Sequence, residues 1–184
     1  MLRIDLKFVS PALLVGALLS ACAVTGSSAH DADTAAKSSA AQFEYLKSLT
    51  GTWVATVDEG GVQRPIESRW RVTGAGSAIE ETLFADSPHE MVSMIHRDGP
   101  YLMMTHYCAA GNQPRMRAVV TKPPVGTGIE FEYLDATNLK SAADMHMASA
   151  RFELMPDGKL HETWTAVENG KPGHTADFTF TRKH

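Results

Sequence analysis

Cysteine is scarce in this chain: Cys22 and Cys108 are the only two in 184 residues. At most one disulfide is possible, and none if either thiol is otherwise engaged, so stability rests on a packed core. Basic residues are not in excess either, with 17 Lys and Arg against 21 Asp and Glu. A mildly acidic chain without a basic stripe and interleaved aromatics is a poor partner for phosphate backbones, which excludes nucleic acid. Signatures of catalysis are missing too. There is no Gly-x-Ser-x-Gly, no Ser-x-x-Lys, no Walker loop and no paired Cys-x-x-Cys, and His161-Glu162 is followed by Thr165 where a zinc protease helix needs its second His. Gly74-Ala75-Gly76 stands between two strand patterns rather than between a strand and a helix. These absences favour a non-catalytic protein. Long apolar runs are represented once, by residues 8–19, too short for a span of about 20 residues.

That single run sits in a telling place. Arg3 and Lys7 precede it, and Leu19-Ser20-Ala21-Cys22 ends it. A positive start, an apolar middle and small residues before a cleavage point form the plan of an export signal. Ending in Cys, it resembles the signal of bacterial lipoproteins. That resemblance implies diacylglycerol transfer to the Cys22 thiol, cleavage after residue 21 and acylation of the new amino terminus. More than one acyl chain makes a stable anchor. Ala23 stands where the inner-membrane retention signal of that system favours Asp, which points to the outer membrane, facing the periplasm. Loss of the signal takes the formal net charge from −4 to −5, because Arg3, Asp5 and Lys7 leave with it. Cys108 is then the sole free thiol.

Residues 22–40 are small and polar, with no large apolar side chain after Val24. Such a segment cannot bury enough surface to offset its ordering entropy and is expected to be a flexible tether spanning about 25 Å. Residues 41–184 are expected to form one domain. Phe43, Leu46 and Leu49 fall at helical spacing, with Gly51 as a stop. Beyond them period-two alternation predicts ten strands, over residues 52–58, 66–73, 78–84, 90–96, 101–107, 115–121, 129–134, 145–155, 160–167 and 174–181. Turn residues such as Asp98-Gly99-Pro100, Pro156-Asp157-Gly158 and Asn169-Gly170 separate them. The fold class is therefore all-β, a single antiparallel up-and-down meander closed into a barrel that removes its own edges. Residues 135–144 are long enough for one helical turn.

A short helix leading into Gly51-Thr52-Trp53, followed by a ten-strand meander, resembles the calycin group, the lipocalins and fatty-acid-binding proteins. The segment Gly74-Ala75-Gly76-Ser77-Ala78-Ile79-Glu80-Glu81 is similar to bacterial lipocalin-like proteins. The resemblance implies a cup, and with it a small apolar or amphipathic ligand; a barrel of this size either fills with side chains or holds one such molecule.

The candidate ligand-binding residues are Trp53, Trp70, Glu81, Met104, His106, Cys108, Arg115, His146 and Trp164. His106 and Cys108 share a strand face with Met104. No cofactor is expected on the first reading; the alternative is a haem or transition metal held by His106, Cys108 and His146, against a plain reading of a hydrogen-bonded His and a small buried thiol. Only one of Glu80 and Glu81 can point inward, and an inward carboxylate needs a partner such as Arg69, Arg71, Arg115 or Arg117. Such a pair would suit a ligand with a carboxylate head. A third reading is a packed barrel that meets a protein partner, of unspecified identity, from outside.

Overall fold

A computed structural model describes residues 29–119 and 128–184. The signal, Cys22 and the start of the tether lie outside the described residues. The chain begins with helix α1 (Ala29–Lys47) and continues as strands β1 (Gly51–Glu59), β2 (Val62–Thr73), β3 (Ala78–Leu83), β4 (Met91–Asp98), β5 (Tyr101–Tyr107), β6 (Gln113–Ala118), β7 (Ile129–Thr137), β8 (His146–Leu154), β9 (Leu160–Glu168) and β10 (Lys171–Arg182). Each strand pairs antiparallel with the next, and β1 pairs with β10, so the sheet closes into a ten-strand up-and-down barrel. The closing seam is short. Trp53 faces Arg182 and Val54 faces Thr181, whereas β1 pairs with β2 along its full length.

Alternation sorts the side chains. Leu102, Met104 and His106 of β5, Phe131 of β7, Ala150 and Phe152 of β8, and Leu160, Glu162, Trp164 and Ala166 of β9 are buried, while their neighbours are exposed or half-buried. Outer neighbours pair across strands, as Arg71 does with Glu80 and Thr163 with Asp177. Register shifts leave one residue unpaired on each of two strands, Leu134 of β7 opposite Arg115 and Met116, and Ala148 of β8 between Met147 and Ser149.

Helix α1 covers one end of the barrel. Phe43, Leu46 and Leu49 are buried there, Tyr45 Oη accepts from the Leu154 amide at 2.7 Å, and Gln42 donates to the Val119 carbonyl at 3.1 Å. The helix starts at Ala29, well inside the segment expected to be a tether. Small residues read as disorder by their low hydropathy, yet alanine has the best intrinsic helix propensity, and Asp33 and Lys37 add an i,i+4 pair. Ser39 links the helix to the β4–β5 turn through the carbonyl of Gly99, and its shorter bond stays within the helix, to the carbonyl of Ala36.

The helix end explains Gly51-Thr52-Trp53. Trp53 Nε1 donates to the Leu49 carbonyl at 2.7 Å, and Arg182 donates to the carbonyls of Thr50 at 2.6 Å and Ser48 at 3.2 Å while its guanidinium lies 4.1 Å over the Trp53 ring. Carbonyls left over at the helix terminus thus find donors. Gly51 has φ +135, which favours glycine, and a Cβ there would lie 2.6 Å from an Arg182 nitrogen and displace the guanidinium from its carbonyl contacts. The 135–144 segment departs from expectation: β7 runs on to Thr137, and Asp144 then closes the loop by accepting from the amides of Lys140 and Ser141.

Candidate functional site

Two acids face each other inside the barrel. Glu81 on β3 and Glu162 on β9 are both completely buried. Their strands are far apart in the sheet, but closure brings the two carboxyl groups within hydrogen-bond reach. Ser68 on β2 bridges them, with its hydroxyl 3.0 Å from Glu162 Oε1 and 3.4 Å from Glu81 Oε1. A hydroxyl has one proton to give, so the shorter contact takes it. The same oxygen accepts from Trp70 Nε1 at 2.9 Å.

A second arm runs along one cross-strand row, because Trp70, Glu81, Ser93 and His106 are successive register partners on β2 to β5. Ser93 hydrogen-bonds Glu81, and its Oγ lies 3.0 Å from His106 Nδ1. With the serine proton directed to the carboxyl, His106 donates from Nδ1 and leaves Nε2 a bare acceptor. The His106 ring lies 4.5 Å from that of Trp164, and Phe152 stands edge-on to both Trp70 and Trp164.

Electrostatics follow from the burial. Desolvation pushes Glu81 up to about 7, and Glu162 is held well above the ordinary carboxyl range by burial and by the charge of Glu81. The pair holds at least one proton at neutral pH, since two adjacent buried carboxylates cannot both ionise cheaply. Burial pushes His106 down to about 4, so it is neutral. Three buried polar atoms of this cluster, Glu81 Oε2, Glu162 Oε2 and His106 Nε2, have no close partner elsewhere among the described residues, while the Trp164 indole N–H is directed to the Glu162 carboxyl without a close contact. The cluster can hold a proton, exchange it, and accept hydrogen bonds from a guest.

Trp70, Glu81, Met104, His106 and Trp164 are brought together in the interior, as the alternation suggested. Trp53 is buried at the helix-covered end, where it serves closure. Cys108 and His146 are also buried, but His146 is engaged with the Asp144 carbonyl at 2.7 Å and stacked on Tyr133. Among the described residues no three His, Cys, Asp or Glu side chains come together as a metal cage, so His106, Cys108 and His146 do not assemble as one ligand set. Arg115 requires correction. It is outside, forked onto Asp135, because the buried positions of β6 are Pro114, Met116 and Ala118. Arg69 and Arg71 likewise pair outside, with Glu67, Asp86 and Glu80. The partner of Glu81 is Glu162, which shares the inward face of β9 with Leu160, Trp164 and Ala166 and was not among the candidate residues.

A cleft of about 290 Å³ lies on the outer side of β5 to β7, lined by Tyr101, Arg117, Glu132 and Leu134 among others. No protein-family model matches the chain, and a search of curated proteins finds no match.

Proposed function

We propose that the protein is a lipid-anchored envelope protein whose barrel binds a small amphipathic molecule, with the Glu81–Glu162 cluster holding the polar end of that guest. The observation that carries this reading is the set of three buried polar atoms without close partners at Glu81, Glu162 and His106. Buried polar groups in folded proteins are nearly always satisfied, so a group of unsatisfied ones marks a place for another molecule. The surrounding Trp70, Phe152 and Trp164 rings offer an apolar wall to the rest of it. Acylation of Cys22 would put this domain at the periplasmic face of the outer membrane.

An environment-sensitive naphthalene dye should bind saturably at micromolar concentration, change the tryptophan emission and raise the melting temperature by mass action. Absence of saturable binding by a stable protein would favour the other reading, a filled barrel that meets partners from outside, for which the outer cleft and the exposed Tyr101 and Leu134 speak. Replacing Cys22 by Ser should abolish metabolic lipid labelling; labelling that survives would remove the anchor from the proposal.

A further inference from the structure

The interior is short of hydrogens and of positive charge. Glu81 Oε2, Glu162 Oε2 and His106 Nε2 are acceptors without a close donor, and beyond the hydroxyls of Ser68 and Ser93 and the Trp164 indole the carboxyl oxygens have only the proton that the two acids hold between them. No Lys or Arg is buried among the described residues. The groups packed round the pair are Ser68 and Trp70 from β2, Ser93 from β4, His106 from β5, Phe152 from β8, Trp164 from β9 and Phe178, the register partner of Glu162, from β10. Of these His106 alone is titratable, and it is neutral. The nearest arginines on the same strands, Arg69, Arg71 and Arg151, are engaged outside with Glu67, Asp86, Glu80 and Glu153.

From this inventory we infer that the guest carries a cationic amine, whose ammonium group sits on Glu81, Glu162 and the free Nε2 of His106 in exchange for the proton that the acids share. This rests on the reading of the barrel as a binding site and names the class of its ligand. An ammonium supplies three N–H donors and one positive charge, and the cluster offers three unpartnered acceptors and a negative pair. The indole and phenyl faces nearby favour a cation further. A carboxylate head would meet two acids and no positive charge, since His106 is neutral.

The exchange balances simply: the protonated amine enters and one proton leaves to solvent. Binding therefore tightens as pH rises through the titration of the pair, by up to about tenfold per pH unit for one proton released.

Calorimetric titration of the full chain with hexylamine, hexanol and hexanoate, each against a blank of the same detergent, tests this. Hexylamine should bind at least tenfold more tightly than the other two, and its affinity should rise from pH 5 to 7 with proton release visible as a dependence on buffer ionisation heat. Glu162→Gln should remove both the preference and the pH slope while hexanol binding survives; the wild-type pH slope needs no variant and covers a failure of that variant to fold. Hexanol or hexanoate binding as tightly as hexylamine, or a flat pH profile, would overturn the cationic head while leaving an amphipathic guest in place. Binding of none of the three would sink both readings.

Discussion

Cys108 shows how burial decides reactivity. Desolvation raises its thiol pKa, with a small opposing effect from the Ala110 amide, while the neighbouring His106 spends Nδ1 on Ser93. The thiolate fraction is therefore low. Iodoacetamide should leave Cys108 of a Cys22→Ser protein unmodified in native buffer and label it once the barrel unfolds; rapid native labelling, slowed by His106→Ala, would mean that the pair is an activated thiol. Side-chain parity was readable here from the chain alone, since Met104, His106 and Cys108 alternate with exposed Tyr107. The interior acid pair was not, because nothing in the local pattern of β3 or β9 says which strand lies across the barrel. The signal that could have found it is an acid at an inward position on each of two strands, Glu81 among Ile79 and Leu83 and Glu162 among Leu160 and Trp164, with no inward Lys or Arg among the described residues. Arg115 went astray for a related reason: it alternates with Pro114 and Met116, and those two claim the inside.

At the level of elements, the strands were legible and the helix only in part. Ten period-two segments became ten strands, with ends shifted by a few residues where bulges or extensions intervene, as on β6, which begins at Gln113. Half of α1 was hidden because an alanine-rich, polar sequence fits both a coil and a helix, and docking through Ser39 and Arg97 favours the helix. The buried face of α1 makes a sharp prediction. Leu46 is wholly enclosed, so Leu46→Ala should lower unfolding free energy by about 2–5 kcal/mol in a chemical denaturation series. Gly51→Ala should also destabilise, by about 1–3 kcal/mol, through its positive φ and the clash with Arg182. If Arg182→Ala in the same background restores part of that loss, the clash is the cause; no restoration would assign it to the backbone.

For the molecule as a whole, the interior charges set the pH dependence of stability. Glu81 titrates near 7 when folded against an ordinary 4.5, and Glu162 is raised as well, so the folded state binds more protons than the unfolded chain and stability falls as pH rises across that window and beyond. His106 acts oppositely. Lowered from 6.5 to about 4, it makes stability fall as pH drops between those values. Above 6.5 the acids act alone. The melting temperature should accordingly decline from pH 6.5 to 8.5, with a free-energy slope of at most about 1.4 kcal/mol per pH unit for each acid. Glu162→Gln should flatten that decline, and a wild-type curve that rises over this range would contradict the buried pair.

The short seam between β1 and β10 has a consequence for how the protein is made. Pairing of Trp53 with Arg182 joins residues separated by nearly the entire domain, while every other strand pair is a neighbour along the chain. Hairpins can form one after another as the polypeptide emerges, but the last join waits for the C-terminus and carries the largest loop-closure cost. Until then β1 presents an unpaired edge, the kind that other chains adopt as a template. Removal of residues 178–184 should leave that edge permanently bare and shift the C22S protein toward larger, strand-exchanged oligomers on size-exclusion chromatography. Loss of His184 alone should change nothing. A chain whose strands are all available before folding begins avoids that exposure, since β10 is at hand when β1 begins to pair.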